Sequence, residues 1–214
     1  MSKNINEIKE IYNSIKNEIE NRLNEFNKLW NDGNDKKIFA ELIFCILTPQ
    51  SKAKICWNAV ENLMKKNLID IDKEEILKEL NGVRFKYKKA GYIYEVIKFF
   101  NDREKLAIKS LIKKFENVYE AREWLVSNIK GLGYKEASHF LRNIGMGEKI
   151  AILDRHILKN LKILNVIDEI PKCLSKKRYM DIENKMRRFA EEINIPLSHL
   201  DLLLWYKETG EVFK

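Results

Sequence analysis

The amino-acid sequence predicts an all-α protein. Three observations carry that reading. Apolar residues recur at helical spacing nearly throughout; no segment sustains two-residue alternation; and 214 residues contain only three prolines and eight glycines. The length suits one large domain or two small ones, and 45% hydrophobic with 34% charged residues is the balance of a globular chain.

The elements follow in order. Ile5, Ile8, Tyr12, Ile15, Ile19, Leu23, Phe26 and Trp30 form one face of a long amphipathic helix. Asn31 to Asp35 stop it, and a second helix runs from about Lys36 to Leu47. Thr48-Pro49-Gln50-Ser51 breaks that helix, and Ser51 is placed to cap the next one, which reaches about Lys66. Helices are expected near Lys73–Leu80, Tyr87–Asn101, Glu104–Lys113 and Val118–Asn128. After Gly131-Leu132-Gly133, a helix containing Lys135 runs to about Asn143, and Ile144–Gly147 is a turn. Asp154 caps a helix to about Leu164, and two more cover Lys176–Ile193 and Pro196–Thr209.

Several function classes are excluded or disfavoured. No apolar run approaches the roughly 18 residues that span a bilayer. The polar stretch Met1 to Glu10 lacks the apolar core of a signal peptide, so the expected location is the cytoplasm, at the nucleoid. Cys45, Cys56 and Cys173 are too few and too widely spaced for a disulfide framework, a zinc site or a four-cysteine iron–sulfur cluster; the first two read as core. The net charge of +8 points toward a polyanion, and solubility alone accounts for it as an alternative.

The chemistry concentrates between Asn128 and Leu158. Gly131 and Gly133 allow a sharp backbone turn and a close approach, and backbone N–H groups at the following helix start can face a phosphate. A plain helix connection explains the two glycines equally well. Lys135 is harder to explain structurally, because the first turn of a helix disfavours an ammonium. That setting, with partial desolvation, lowers an amine's pKa and suits a nucleophile; pairing with phosphate is the plainer alternative. Asp154 follows nineteen residues later, behind the apolar run Ile150-Ala151-Ile152-Leu153. It reads as an N-cap that can also stabilise a developing cation.

Gly131-Leu132-Gly133-Tyr134-Lys135 with Asp154 resembles the glycine-hairpin-lysine and aspartate pair of the helix-hairpin-helix DNA glycosylase superfamily. Leu47-Thr48-Pro49-Gln50-Ser51 is similar to a turn of the same superfamily. More narrowly, the small size, the missing cluster cysteines, the Leu153-Asp154-Arg155-His156-Ile157 segment and the Val212-Phe213-Lys214 ending resemble the archaeal-type, or second-type, 8-oxoguanine DNA glycosylase/lyase.

The resemblance implies two helical subdomains with a cleft between them: a barrel of about residues 34–147, and a second subdomain of 1–33 with 148–214. It implies Lys135 as the nucleophile that attacks C1′ and forms a Schiff base, and Asp154 as the carboxylate that stabilises the sugar cation. Gly131, Gly133, Gln50, Phe85 and His139 become candidate DNA contacts. Gln50 would enter the duplex, although it could simply cap a helix; Phe85 could equally be core, and His139 equally structural. Lys214 and Trp205 become candidates for recognising the flipped base, with a frayed end and core packing as their plainer readings. Arg155 and His156 match the narrower motif without an assigned role, and His199 reads as structural. The resemblance requires no cofactor, allows a monovalent cation on hairpin carbonyls, and implies a monomer acting on double-stranded DNA with oxidised guanine. An endonuclease III-like enzyme for oxidised pyrimidines and a noncatalytic DNA-binding module are the alternatives.

Overall fold

The computed structural model describes residues 3–68, 70–102 and 105–214, and among these the regular secondary structure is helical apart from one two-residue ladder. Contacts divide it into two compact units, residues 29–140 and residues 1–28 with 141–214. Both boundaries fall inside helices, α1 (Lys3–Asp32) and α8 (Tyr134–Asn143), and not in the loops near 33 and 147.

The unit of residues 29–140 is built around α2 (Asp35–Leu47), which is buried at every position from Ile38 to Leu47. A helix that is apolar from Ile38 to Leu47 except at Glu41 must be enclosed. Here α3 (Ala53–Met64), α5 (Lys86–Phe100) and α6 (Ile108–Ile112) pack on it, and α4 (Lys73–Glu79) lies on α3 and α5. Asn34 caps α2, and Asp72 with Glu75 forms a capping box on α4. The expected helix at Glu104–Lys113 is shorter than the pattern suggested. Asn101–Asp102 pairs antiparallel with Lys105–Leu106, and only Ile108–Ile112 is helical; Glu104 lies outside the described residues. Asp35, whose carboxylate accepts from the Lys109 backbone N–H, fixes where that helix starts.

In the other unit, α1 buries Ile8, Tyr12, Ile15, Ile19 and Phe26, the centre of the stripe read from sequence. Tyr12 Oη lies 3.0 Å from His199 Nδ1, and burial pushes the His199 pKa down, as the structural reading of that histidine requires. Helix α11 (Leu197–Thr209) packs on α9 (Arg155–Ile163) and α10 (Lys176–Ile193). Its run Leu202, Leu203, Leu204 is wholly buried.

Candidate active site

Lys135 stands in the first turn of α8, after the Gly131–Gly133 connection from α7 (Val118–Asn128). Its side chain is 22% exposed, and Nζ lies 3.0 Å from Glu136 Oε1. Glu136 Oε2 accepts from the Gly133 N–H at 3.1 Å, so one carboxylate ties the hairpin backbone to the neighbouring ammonium. The Gly133 N–H is taken by Glu136, and the Leu132 N–H donates to the Ile129 carbonyl.

Glycine is required at 131. Its φ is +92°, and a Cβ there would sit 2.6 Å from the Tyr92 ring on α5. Lys130 Nζ pairs with Glu95 Oε2 of the same helix at 2.9 Å, so α5 is the floor of the hairpin. The two hairpin helices are joined by Arg122, which is 1% exposed. Its Nη1 donates to Ser138 Oγ, and its guanidinium lies over the rings of Tyr119 and Tyr134. Tyr134 Oη also donates to Glu123 Oε2 at 2.8 Å. Sequence reasoning assigned nothing to Arg122; an arginine nine residues before Gly131 carries no signal until the partners are placed. His139 is 7% exposed and meets Phe44 edge-on, at 5.6 Å between ring centres. That is core packing, in keeping with its structural reading.

Gln50 and Phe85 belong to the same unit. Both are exposed and both have positive φ, 56° and 58°. Gln50 occupies the third position of a turn closed by Ser51 N–H to Thr48 C=O, with Pro49 at the second. Positive φ there normally selects Gly or Asn. A left-handed conformation costs a larger residue about 1–2 kcal/mol. Phe85 precedes α5 with its ring 56% exposed, so it is not core. Ser51 does not cap α3, whose N-cap is Lys52 without a side-chain bond.

In the unit of residues 1–28 and 141–214, Asp154 is the N-cap of α9, as the sequence suggested. The N–H groups of His156 and Ile157 both donate to Oδ1, at 2.8 and 2.9 Å. Oδ2 accepts nothing from the described residues. The approach to Asp154 is extended, so its backbone groups need partners from elsewhere. Buried side chains supply them. The Ala151 N–H donates to Glu183 Oε2 at 2.8 Å, Tyr179 Oη donates to the Ala151 carbonyl at 2.6 Å, and the Leu153 N–H donates to Tyr179 Oη at 3.3 Å. The Ile152 N–H donates to the Asp201 carboxylate, and the Asp154 N–H to the Ile152 carbonyl. Asp201 lies 3.7 Å from Arg142 Nη1 and is wholly buried. Burial pushes its carboxyl up to about 6 and the nearby Asp154 charge adds to the rise, while Arg142 and the Ile152 N–H oppose it. Tyr179, Glu183 and Asp201 were invisible from sequence, each sitting in an ordinary helical stripe.

Trp205 lies in α11, half-buried, with the His156 ring perpendicular to it at 5.2 Å. Its indole N–H is buried and meets no acceptor among the described residues. Glu208 sits 3.6 Å from His156 Nδ1. Hydrogen bonds from Lys159 hold the Glu208 carboxyl below its usual range, with Asn160 donating as well. Val212 is buried and anchors the final residues; Lys214 is half-exposed. No group of three or more His, Cys, Asp or Glu among the described residues could hold a metal ion.

Comparison with known proteins identifies the family. The family model described as 8-oxoguanine DNA glycosylase matches residues 19–195. An 8-oxoguanine DNA glycosylase/AP lyase of Fusobacterium nucleatum is 51% identical over the full length of both chains. The crystal structure of the Methanocaldococcus jannaschii 8-oxoguanine glycosylase/lyase in complex with a 15mer DNA containing 8-oxoguanine is similar, at TM-score 0.89 and 42% identity, covering 98% of this chain and 99% of that one. The 8-oxoguanine DNA glycosylase of Thermotoga maritima is similar at TM-score 0.87 and 37% identity, covering 98% of both chains. With a hairpin lysine, a capping aspartate and full-length likeness to these enzymes, the chain belongs to the 8-oxoguanine DNA glycosylase family and has its helix-hairpin-helix fold.

Proposed function

We infer that the protein excises 8-oxoguanine from duplex DNA and cleaves the strand at the resulting abasic site, in base excision repair. The observation that carries this is Lys135 in the first turn after the glycine hairpin, in a chain that matches glycosylase/AP lyases from end to end. The relatives' names also favour this reading over an endonuclease III-like enzyme or a noncatalytic module.

The stacked base must first leave the helix, at a cost of a few kcal/mol. Gln50 and Phe85, exposed on two turns, enter the duplex to fill the gap. The Lys135 amine then attacks C1′ of the damaged nucleotide, the C1′–N9 bond breaks, and the base leaves with its electron pair. Glu136 holds the resting ammonium, and the attacking form must give up a proton. Asp154 helps take that proton, and Oδ2 faces the positive charge that develops on the sugar. The Lys135 nitrogen lone pair then breaks the C1′–O4′ bond, O4′ taking a proton, and the resulting imine acidifies the C2′ hydrogens; loss of one C2′ proton expels the 3′ phosphate by β-elimination. In the base pocket, Trp205 stacks on the flipped base and Lys214 meets its polar edge. A monovalent cation at the hairpin would have to share the Ile129 and Gly133 carbonyls, which already accept from Leu132 and Ala137, and no step depends on it. We place the protein in the cytoplasm, on nucleoid DNA, acting as a monomer.

Duplexes that carry either 8-oxoguanine or thymine glycol provide the test. Excision and strand cleavage should be strong on the first and weak on the second. Preference for thymine glycol would overturn the substrate assignment.

A further inference from the structure

Gln50 and Phe85 share a backbone feature that their neighbours do not explain. Among the described residues, the non-glycine residues with positive φ are Gln50, Phe85, Asn165 and Asn194. Asparagine tolerates that region; glutamine and phenylalanine do not adopt it without being held. The two held residues are the two exposed candidates for entering DNA, and one buried cation holds the Gln50 turn and, through Ser51, is linked to the residue before Phe85.

Lys89 is 5% exposed. It is one turn into α5, where its backbone N–H donates to the Phe85 carbonyl at 3.0 Å. Its Nζ donates to the carbonyls of Leu47 and Pro49, both at 2.7 Å, and to Ser51 Oγ at 3.1 Å. An ammonium has three donors, and these three acceptors take them all. Ser51 Oγ also accepts from the Arg84 N–H at 3.0 Å, which ties the Gln50 turn to the residue before Phe85. Cys56 Sγ donates to the Leu47 carbonyl at 3.2 Å and so closes the cluster. Burying an ammonium among carbonyls is costly, and burial accordingly pushes the Lys89 pKa down. A turn that needed only stability would be served by glycine at position 50 and no charge beneath it.

We propose that Lys89 is a positioning residue that clamps the Gln50 and Phe85 turns together, so that both side chains are held ready to enter the duplex. This rests on the reading of Gln50 and Phe85 as the DNA-entering pair. The clamp acts on opening of the base pair and not on the chemistry at C1′. It therefore matters most where a stacked base must be extracted, and least at an abasic site, where there is no base to extract.

The test compares two substrates in the same duplex context, an 8-oxoguanine pair and a preformed abasic site, with 2-aminopurine beside the lesion reporting the opening step. Lys89→Met removes the ammonium. Ser51→Ala is a gentler variant that keeps it, should Lys89→Met not fold. The ratio of 8-oxoguanine excision to abasic-site cleavage should fall about tenfold in Lys89→Met, and in the same direction in Ser51→Ala, with a weakened 2-aminopurine rise in both. An equal loss on both substrates, or an unchanged ratio, overturns the proposal. The double variant Gln50→Ala, Phe85→Ala separates the two ideas. If it excises 8-oxoguanine normally, the DNA-entering reading itself fails. If it lowers the ratio while the Lys89 and Ser51 variants do not, only the clamp fails.

Discussion

Asp154 divides its carboxylate between two tasks. Oδ1 holds the start of α9 through two backbone N–H groups, and in the proposed mechanism Oδ2 faces the sugar. Asp154→Asn can keep the cap, because the amide oxygen still accepts, but it loses the charge. Excision should fall by about two orders of magnitude or more, while the melting temperature changes little. A large loss of stability with normal single-turnover excision would show the residue to be only a cap. Asp201 makes a different statement at this scale. Its folded pKa is raised to about 6 from 3.8, so the folded protein binds that proton more tightly than the unfolded chain does. The group therefore lowers stability as pH rises from about 4 to about 6, by on the order of 3 kcal/mol. Urea unfolding of wild type and Asp201→Asn across that range should show the wild type losing stability relative to the variant. A pH-independent difference would contradict the assignment.

At the scale of elements, the hairpin depends on α5 beneath it. Gly131→Ala places a methyl group against the Tyr92 ring in a backbone conformation that suits only glycine. It should cost about 1–3 kcal/mol and lower the melting temperature, and with it the activity. A neutral effect would mean that the hairpin is not seated as described. The extended run into Asp154 depends on Tyr179 in the same manner. Tyr179→Phe leaves the Ala151 carbonyl and Leu153 N–H without their hydroxyl, so excision should drop while affinity for duplex is kept.

The elements were legible in the sequence wherever apolar spacing decided them. The α1 stripe, the extent of α2 and the Asp154 cap all follow from periodicity and capping chemistry. Two features escaped for one physical reason, that a side chain's partner can be distant in sequence. Ser51 looked like a cap because caps are local, yet its hydroxyl serves Arg84 and Lys89. The stretch after Asn101 looked helical, but a short ladder and the Asp35 carboxylate set its shape.

For the whole molecule, a net charge of +8 makes binding to undamaged duplex a counterion-release process. Log affinity should fall linearly with log salt, with a slope of about −0.9 per phosphate neutralised; salt-independent binding would contradict the charge argument. The family and its fold were within reach of the sequence because Gly131, Gly133, Lys135 and Asp154 are close together along the chain. The most direct measurement of the central claim is borohydride reduction of the protein mixed with 8-oxoguanine duplex. Wild type should become covalently joined to the DNA, and Lys135→Gln should still bind the duplex but form no adduct. A wild-type protein that binds the lesion without cross-linking, or a Lys135→Gln variant that cross-links as wild type does, would contradict the account.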